Sequence, residues 1–279
     1  MCTVALAWNP GTYAPILCVA NRDEFYERPA VPPRIHRLET PLPCIAPQDL
    51  QRGGTWIGVN AARVVAALTN RDGAPPGMGR RSRGQLVPCA LAHRTPHDAR
   101  EALRSLDPTT FRPFHLIVAN PEEAFLLWSD GTTIHDRTLL PGTHIITQQS
   151  IGAAAQDRAV ARHLPWLMEY RPLPWNVNTD IGDQEAAFHM MLGFLRSDIA
   201  RHDPRNPYDG PCVHDDAYGT RSSTIIAAHQ NGDIQYHYTD GSPCTARWQM
   251  VCRHTHDWWT SAATTPHAIA APWTIDAYP

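Results

Sequence analysis

The 279-residue chain contains no lysine; all 24 of its Lys-or-Arg positions are arginine. Arginine replaces lysine readily on generic surfaces, so the chemical consequence is narrow: Schiff-base catalysis through a lysine amine is excluded. No run of about 18 apolar residues occurs, so no transmembrane segment is expected. A formal net charge of −3 provides no basic footprint for nucleic acid. The first residues lack the basic region of a signal peptide, and Asn9, Pro10 and Gly11 interrupt the first apolar run; a cytoplasmic protein is expected. No glycine-rich phosphate loop is evident, because Gly53-Gly54 leads into a strand rather than a helix N-terminus. The seven cysteines are odd in number, irregularly spaced and without a CxxC pair, which points to buried thiols in a reducing compartment. Cys212-Val213-His214 and Cys252-Arg253-His254-Thr255-His256 contain metal-ligating types. Ligands at alternate positions lack the usual zinc spacing, so no metal is expected.

What is present is an ample apolar fraction, 43% of residues, and a strand-rich first half. Thr3 to Trp8 and Ile16 to Ala20 are apolar runs around the turn signal Asn9-Pro10-Gly11, predicting an antiparallel hairpin. Residues 26 to 50 are proline-rich and aperiodic, and read as a loop. Thr55 to Val59 and Val64 to Leu68 predict a second hairpin. Ser82 and Thr95 are N-cap candidates for helices reaching about His93 and Leu106. Strands follow at His115–Ala119, Ala124–Trp128 and around His144–Thr147. Helices are predicted over Ala153–Tyr170, with Val160, Leu164 and Leu167 at helical spacing, and over Gln184–Ile199. Late strands are predicted at Ser223–Ala228, Ile234–Tyr238 and Arg247–Val251. Residues 255–279 read as a surface-packed tail, and no linker is long enough to divide residues 1–279, so a single domain is expected. Hairpins predominate over βαβ units, which favours a layered α+β architecture of antiparallel sheets with helices on their outer faces.

Cys2 directly follows the initiator methionine. Methionine is removed when the next side chain is small, and the mature chain would then begin with a thiol and a free α-amine on one residue. With an unperturbed pKa of about 8, that amine can accept the thiol proton. Asn21-Arg22-Asp23-Glu24 ends the second strand, where alternation puts Asn21 and Asp23 on one face and Arg22 and Glu24 on the other. Asn70 ends another strand, where its amide could donate to a developing oxyanion. Arg221, entering a late strand, could hold a carboxylate or bias a thiolate by its charge.

These segments resemble the NRDE-motif family, named for transport and Golgi organisation protein 2. The matching stretches are Met1-Cys2-Thr3, Asn21-Arg22-Asp23-Glu24 with Arg28-Pro29, Gly53-Gly54-Thr55-Trp56-Ile57-Gly58-Val59-Asn60, Thr69-Asn70-Arg71, Ser82-Arg83-Gly84 and Tyr218-Gly219-Thr220-Arg221-Ser222-Ser223-Thr224. The resemblance implies the N-terminal-nucleophile hydrolase fold, a four-layer αββα sandwich. Through a distant branch of that fold, the penicillin V acylase and bile-salt hydrolase group, it implies Cys2 as nucleophile and Asp23 as the carboxylate orienting the amine. It also implies Asn70 as the oxyanion donor and Arg221 as the late-strand arginine near the nucleophile, with Asn21 and Arg22 in support. Two positions depart from that group's pattern. Its arginine before Asn-x-Asp is Ala20 here, with Arg22 two places on, and a further asparagine is replaced by Gln148 or Gln149.

The resemblance leaves three readings open. One is a cysteine hydrolase of linear amides or thioesters that requires no cofactor. Another is a haem or acyl-CoA and lipid carrier on the same fold, with histidines as haem ligands and Arg80, Arg81 and Arg83 for phosphates. The third is a fold in which Cys2 is purely structural. The partner is a small acyl or amide substrate in the first reading and haem or a lipid in the second.

Overall fold

The computed structural model describes residues 2–37, 42–73, 81–149, 160–168 and 181–254. Two compact units form, one from Met1–Glu27 with Pro141–Arg253 and one within Arg28–Leu140. The first unit is therefore discontinuous in sequence. Both carry an antiparallel sheet with helices, the layered α+β class that the alternation of hairpins and helices implied.

In the first unit, β1 (Cys2–Trp8) and β2 (Ile16–Phe25) form the expected hairpin. The β2 strand runs five residues beyond the apolar stretch that announced it, through the whole Asn21-Arg22-Asp23-Glu24 motif. Long-range pairing explains the extension, because β11 (Tyr218–Ala228) lies alongside β2 from Ile16 to Phe25. The six-stranded order is β10-β1-β2-β11-β12-β13, with β10 at Gly142–Ile146, β12 at Ile234–Asp240 and β13 at Gln249–His254.

One face of this sheet packs on helices. Ala5, Ala7, Leu17, Val19, Ile225 and Ala227 form a buried cluster with residues of the long helix Ile181–Ile199, among them Phe188, Leu192 and Leu195. Val160, Leu164 and Leu167, placed at helical spacing by the sequence, belong to the same cluster. Most of the helix expected over 153–170 lies outside the described residues, as does the tail expected over 255–279; Pro165–Met168 is helical. Each fully buried Leu or Ile side chain here contributes about 1.5–3 kcal/mol relative to exposure.

The second unit has a seven-stranded sheet in sequence order. Its strands are β3 (Ala30–Arg37), β4 (Pro43–Asp49), β5 (Ile57–Asn60), β6 (Val65–Asn70), β7 (Phe114–Ala119), β8 (Ala124–Ser129) and β9 (Ile134–Thr138). The first two correct the loop expected over residues 26 to 50. Their prolines are accommodated because β3 is an edge strand, its pairing with β4 shifts register between Val31 and Arg34, and Pro43 opens β4. Those are the places where a missing N–H costs no ladder bond. The helices α1 (Leu86–Leu91) and α2 (Pro96–Arg104) pack on one face of this sheet through Leu86, Val87, Ala90, Leu91, Ala99 and Leu103. Thr95 caps α2 as expected, accepting from the Asp98 N–H, whereas Ser82 caps a 3-10 turn at Arg83–Gln85 that precedes α1.

Several of the second unit's sequence motifs are bracing. The Asn60 side chain donates to the carbonyls of Leu91 and His93 at 2.8 and 2.7 Å and accepts from the N–H groups of Ala62 and Val64. It thereby satisfies carbonyls left over at the end of α1 and shapes the β5–β6 turn at once. Thr55 N–H donates to the Gly84 carbonyl at 3.0 Å, and a Cβ on Gly54 would stand 2.8 Å from Gly84 Cα. Gly53-Gly54 and Ser82-Arg83-Gly84 are thus two halves of one close backbone contact.

Candidate functional site

Cys2 and Arg22 are direct cross-strand partners in the β1–β2 ladder, so their side chains share a face. By alternation that is the face turned away from the helices, since Ala5 and Ala7 face the helices. Arg22 is buried, at 5% exposure. Its displacement by two places from the position of Ala20 is a whole pleat period, so it stays on the same face as Ala20 and stands level with the thiol. Gln148 follows the end of β10 by two residues. The β10–β1 ladder ends at Ile146 opposite Val4, so continuing its register puts Gln148 level with Cys2 on the side away from β2. Gln148 is half-buried.

Asn21 and Asp23 lie on the helix face, both buried. The Asn21 amide donates to the carbonyls of Ile199 at 3.1 Å and Pro211 at 2.6 Å and accepts from the Ser223 hydroxyl. It is a tie between β2, β11 and the end of the long helix. The Asp23 carboxylate accepts from the Thr220 hydroxyl at 2.6 Å, and the Asp23 carbonyl accepts from the Tyr218 hydroxyl at 2.9 Å. The ladder between β2 and β11 is irregular at this point. Thr220 pairs with Asp23 but Ser222 pairs with Arg22, leaving Arg221 as an inserted residue. The bulge lets Thr220 and Ser223, three apart, face the same side as Asp23 and Asn21, two apart. Thr220 and Ser223 lie within a motif that sequence reading singled out, but their roles depend on this register shift and could not be read from it.

Arg221 itself is directed elsewhere: its guanidinium donates to the Tyr26 carbonyl. The guanidinium whose charge favours the Cys2 thiolate is that of Arg22. Burial nevertheless dominates and raises the Cys2 pKa; the Asp23 carboxylate adds to the rise, while the Asp23 backbone N–H opposes it. Burial also pushes the Asp23 carboxyl up to about 7, opposed by the Thr220 hydrogen bond. A carboxyl that changes charge near neutral pH thus stands one residue from the partner of a protected thiol.

Asn70 ends β6 in the second unit, paired with Phe114. Of the arginines suggested for phosphates, Arg80 lies outside the described residues, and Arg83 donates to the Pro113 carbonyl at 3.0 Å. No helix among the described residues is long and apolar enough to cross a membrane.

The family model of Transport and Golgi organisation 2 matches residues 1–240, six-sevenths of the chain and both units of the fold. The chain belongs to the Transport and Golgi organisation 2 family. A family member from Bos taurus, the Transport and Golgi organization protein 2 homolog, is 24% identical over 263 residues, covering 85% of this chain and 91% of that protein. Among solved structures, penicillin V acylase from Agrobacterium tumefaciens aligns with 90% of this chain and 86% of its own at a TM-score of 0.47 and 11% identity. A mutant conjugated bile acid hydrolase from Clostridium perfringens aligns with 90% and 92% at a TM-score of 0.48 and 10% identity.

Proposed function

We propose that this Transport and Golgi organisation 2 family member uses Cys2, once Met1 is removed, as an N-terminal nucleophile on a non-peptide amide or thioester. The observation that supports this most is the grouping of Cys2 with Arg22 and Asp23 at one end of the β1–β2 ladder. Burial holds the Cys2 thiol protonated, so a base must act at the moment of attack. In the mature chain that base is the Cys2 α-amine. Asp23, fixed by Thr220, orients the amine, and Arg22 offsets the charge of the thiolate.

The thiolate adds to the acyl carbonyl, and collapse of the adduct expels the amine or thiol leaving group, which takes a proton from the Cys2 ammonium. Water then hydrolyses the acyl-cysteine thioester and restores the thiol. The family resemblance names Asn70 as oxyanion donor, and a fall in kcat for Asn70→Ala of about 100-fold or more is the separate test of that role.

The deciding experiment uses protein whose intact mass shows loss of Met1. Incubated with a panel of N-acyl amides and acyl thioesters, it forms an acyl adduct on Cys2 and turns substrate over, and Cys2→Ala does neither. Unchanged turnover in Cys2→Ala refutes the nucleophile. A parallel titration with hemin and with acyl-CoA addresses the carrier reading, in which binding is retained in Cys2→Ala and no adduct forms.

A further inference from the structure

We propose that His202, Cys212, His214 and Cys244 form a tetrahedral zinc site. Spacing in the sequence argues against it, since Cys212 and His214 alternate and the other two lie ten residues before and thirty after that pair. The fold removes the objection. His202 lies just beyond the long helix Ile181–Ile199, Cys212 and His214 lie in the segment entering β11, and Cys244 lies in the turn after β12. Their ligand atoms all fall within 4.8 Å of one another.

The separations among Cys212, His214 and Cys244 lie within about 0.5 Å of tetrahedral ones, and His202, within 4.8 Å of the other ligand atoms, closes the set on binding. With zinc–sulfur bonds of about 2.3 Å and zinc–nitrogen bonds of about 2.05 Å, sulfur–sulfur separations should be about 3.8 Å and sulfur–nitrogen separations about 3.6 Å. Cys212 Sγ and Cys244 Sγ are 3.9 Å apart, Cys212 Sγ and His214 Nε2 3.4 Å, and His214 Nε2 and Cys244 Sγ 3.1 Å. The fourth ligand has its outer hydrogen bond: His202 Nδ1 faces the Ala200 carbonyl at 3.4 Å, which leaves Nε2 for the metal. Two thiolates and two imidazoles give a neutral complex with a divalent cation, so Cys212, fully buried, carries no uncompensated charge.

Close backbone approach builds the cluster. A Cβ on Gly210 would lie 3.0 Å from the Arg201 carbonyl oxygen, and one on Gly219 would lie 2.6 Å from the Val213 carbonyl oxygen. Cys212 N–H also donates to the Arg201 carbonyl at 3.1 Å, bringing the His202 and Cys212 segments together. The four ligands come from three segments with no helix or ladder joining all of them, which is the structural circumstance a closed zinc site serves.

The site has a consequence for Asp23. Between the two ligands Cys212 and His214, the Val213 N–H donates to the Thr220 hydroxyl oxygen at 2.8 Å, and that hydroxyl donates to Asp23. Zinc would therefore fix the loop that positions Thr220, and through it the Asp23 carboxylate, without touching substrate. Binding releases two thiol protons as the cysteines become thiolates.

The test is metal content by mass spectrometry of the purified full chain, with cobalt(II) titration of zinc-stripped protein as the spectroscopic readout. About one zinc per chain is expected, together with the thiolate-to-cobalt charge-transfer band and intense visible bands of a tetrahedral site. Cys244→Ser and His202→Ala, at half-buried and exposed positions, should each lower cobalt affinity at least tenfold, and Cys89→Ser, in the second unit, should not change it. Chelation should lower the Tm of wild type and lower that of Cys244→Ser by less. Zinc content that is substoichiometric in wild type, or cobalt affinity that is equal in wild type and both ligand variants, overturns the proposal. So does a Cys212–Cys244 disulfide in protein kept from oxidation during purification.

Discussion

Replacing Asp23 by Asn should make the protein relatively more stable as pH rises. In the folded chain burial raises the Asp23 carboxyl from 3.8 to about 7. The direction follows from linkage. Between the two values the folded state holds a proton that the unfolded chain has released, so unfolding free energy falls by about 1.4 kcal/mol per pH unit across that window. Asp23 thus contributes most below about pH 4, and its contribution is lost as pH rises through about 7. The rise from 3.8 to about 7 corresponds to about 4 kcal/mol.

Asn keeps the carbonyl oxygen that accepts from Thr220 and cannot ionise. The assay is urea denaturation of both proteins at intervals from about pH 4 to pH 8, matched by intact mass for the same N-terminus. Titrating groups that do not interact with Asp23 cancel in the difference, so wild type minus Asp23→Asn should decline across the window and level off above it. A flat difference, or one that rises with pH, would refute burial as the controlling influence and mean that a cationic partner holds the carboxylate charged.

Three further outcomes follow from the same contacts. Arg22→Gln should raise the apparent pKa of Cys2 more than Arg221→Gln does, measured as the pH dependence of Cys2 alkylation, because Arg22 is the cross-strand partner of Cys2 and Arg221 is bound to the Tyr26 carbonyl. Asn21→Ala should cost about 2–4 kcal/mol in denaturant unfolding, since it strands the Ile199 and Pro211 carbonyls in the interior; a loss below about 0.5 kcal/mol would mean that water replaces the amide. Asn60→Ala should cost a similar amount and should speed hydrogen exchange around the β5–β6 turn, where the N–H groups of Ala62 and Val64 lose their acceptor.

Local signals located most of the elements. The Asn9-Pro10-Gly11 turn, the hairpin of the second unit and the Thr95 cap are short-range physics, set by residues within a few positions of each other. Where those signals conflicted with long-range pairing, pairing decided. Polar residues ended β2 on paper, but β11 carries the strand through Phe25. Prolines argued for a loop before Asp49, but an edge strand with a register shift admits them.

The chemistry divides along the same line. The residue types were legible from the chain itself: a cysteine able to become N-terminal, a polar Asn-Arg-Asp-Glu strand end, and no lysine to compete. A side chain's face and partner depend on register, and register is a property of two strands rather than one. The β1–β2 ladder put Arg22, not the position of Ala20, beside Cys2. The inserted Arg221 turned Thr220 and Ser223 toward Asp23 and Asn21. Only chain crossings brought His202, Cys212, His214 and Cys244 within ligand distance, because no spacing along one segment can encode a site assembled from three.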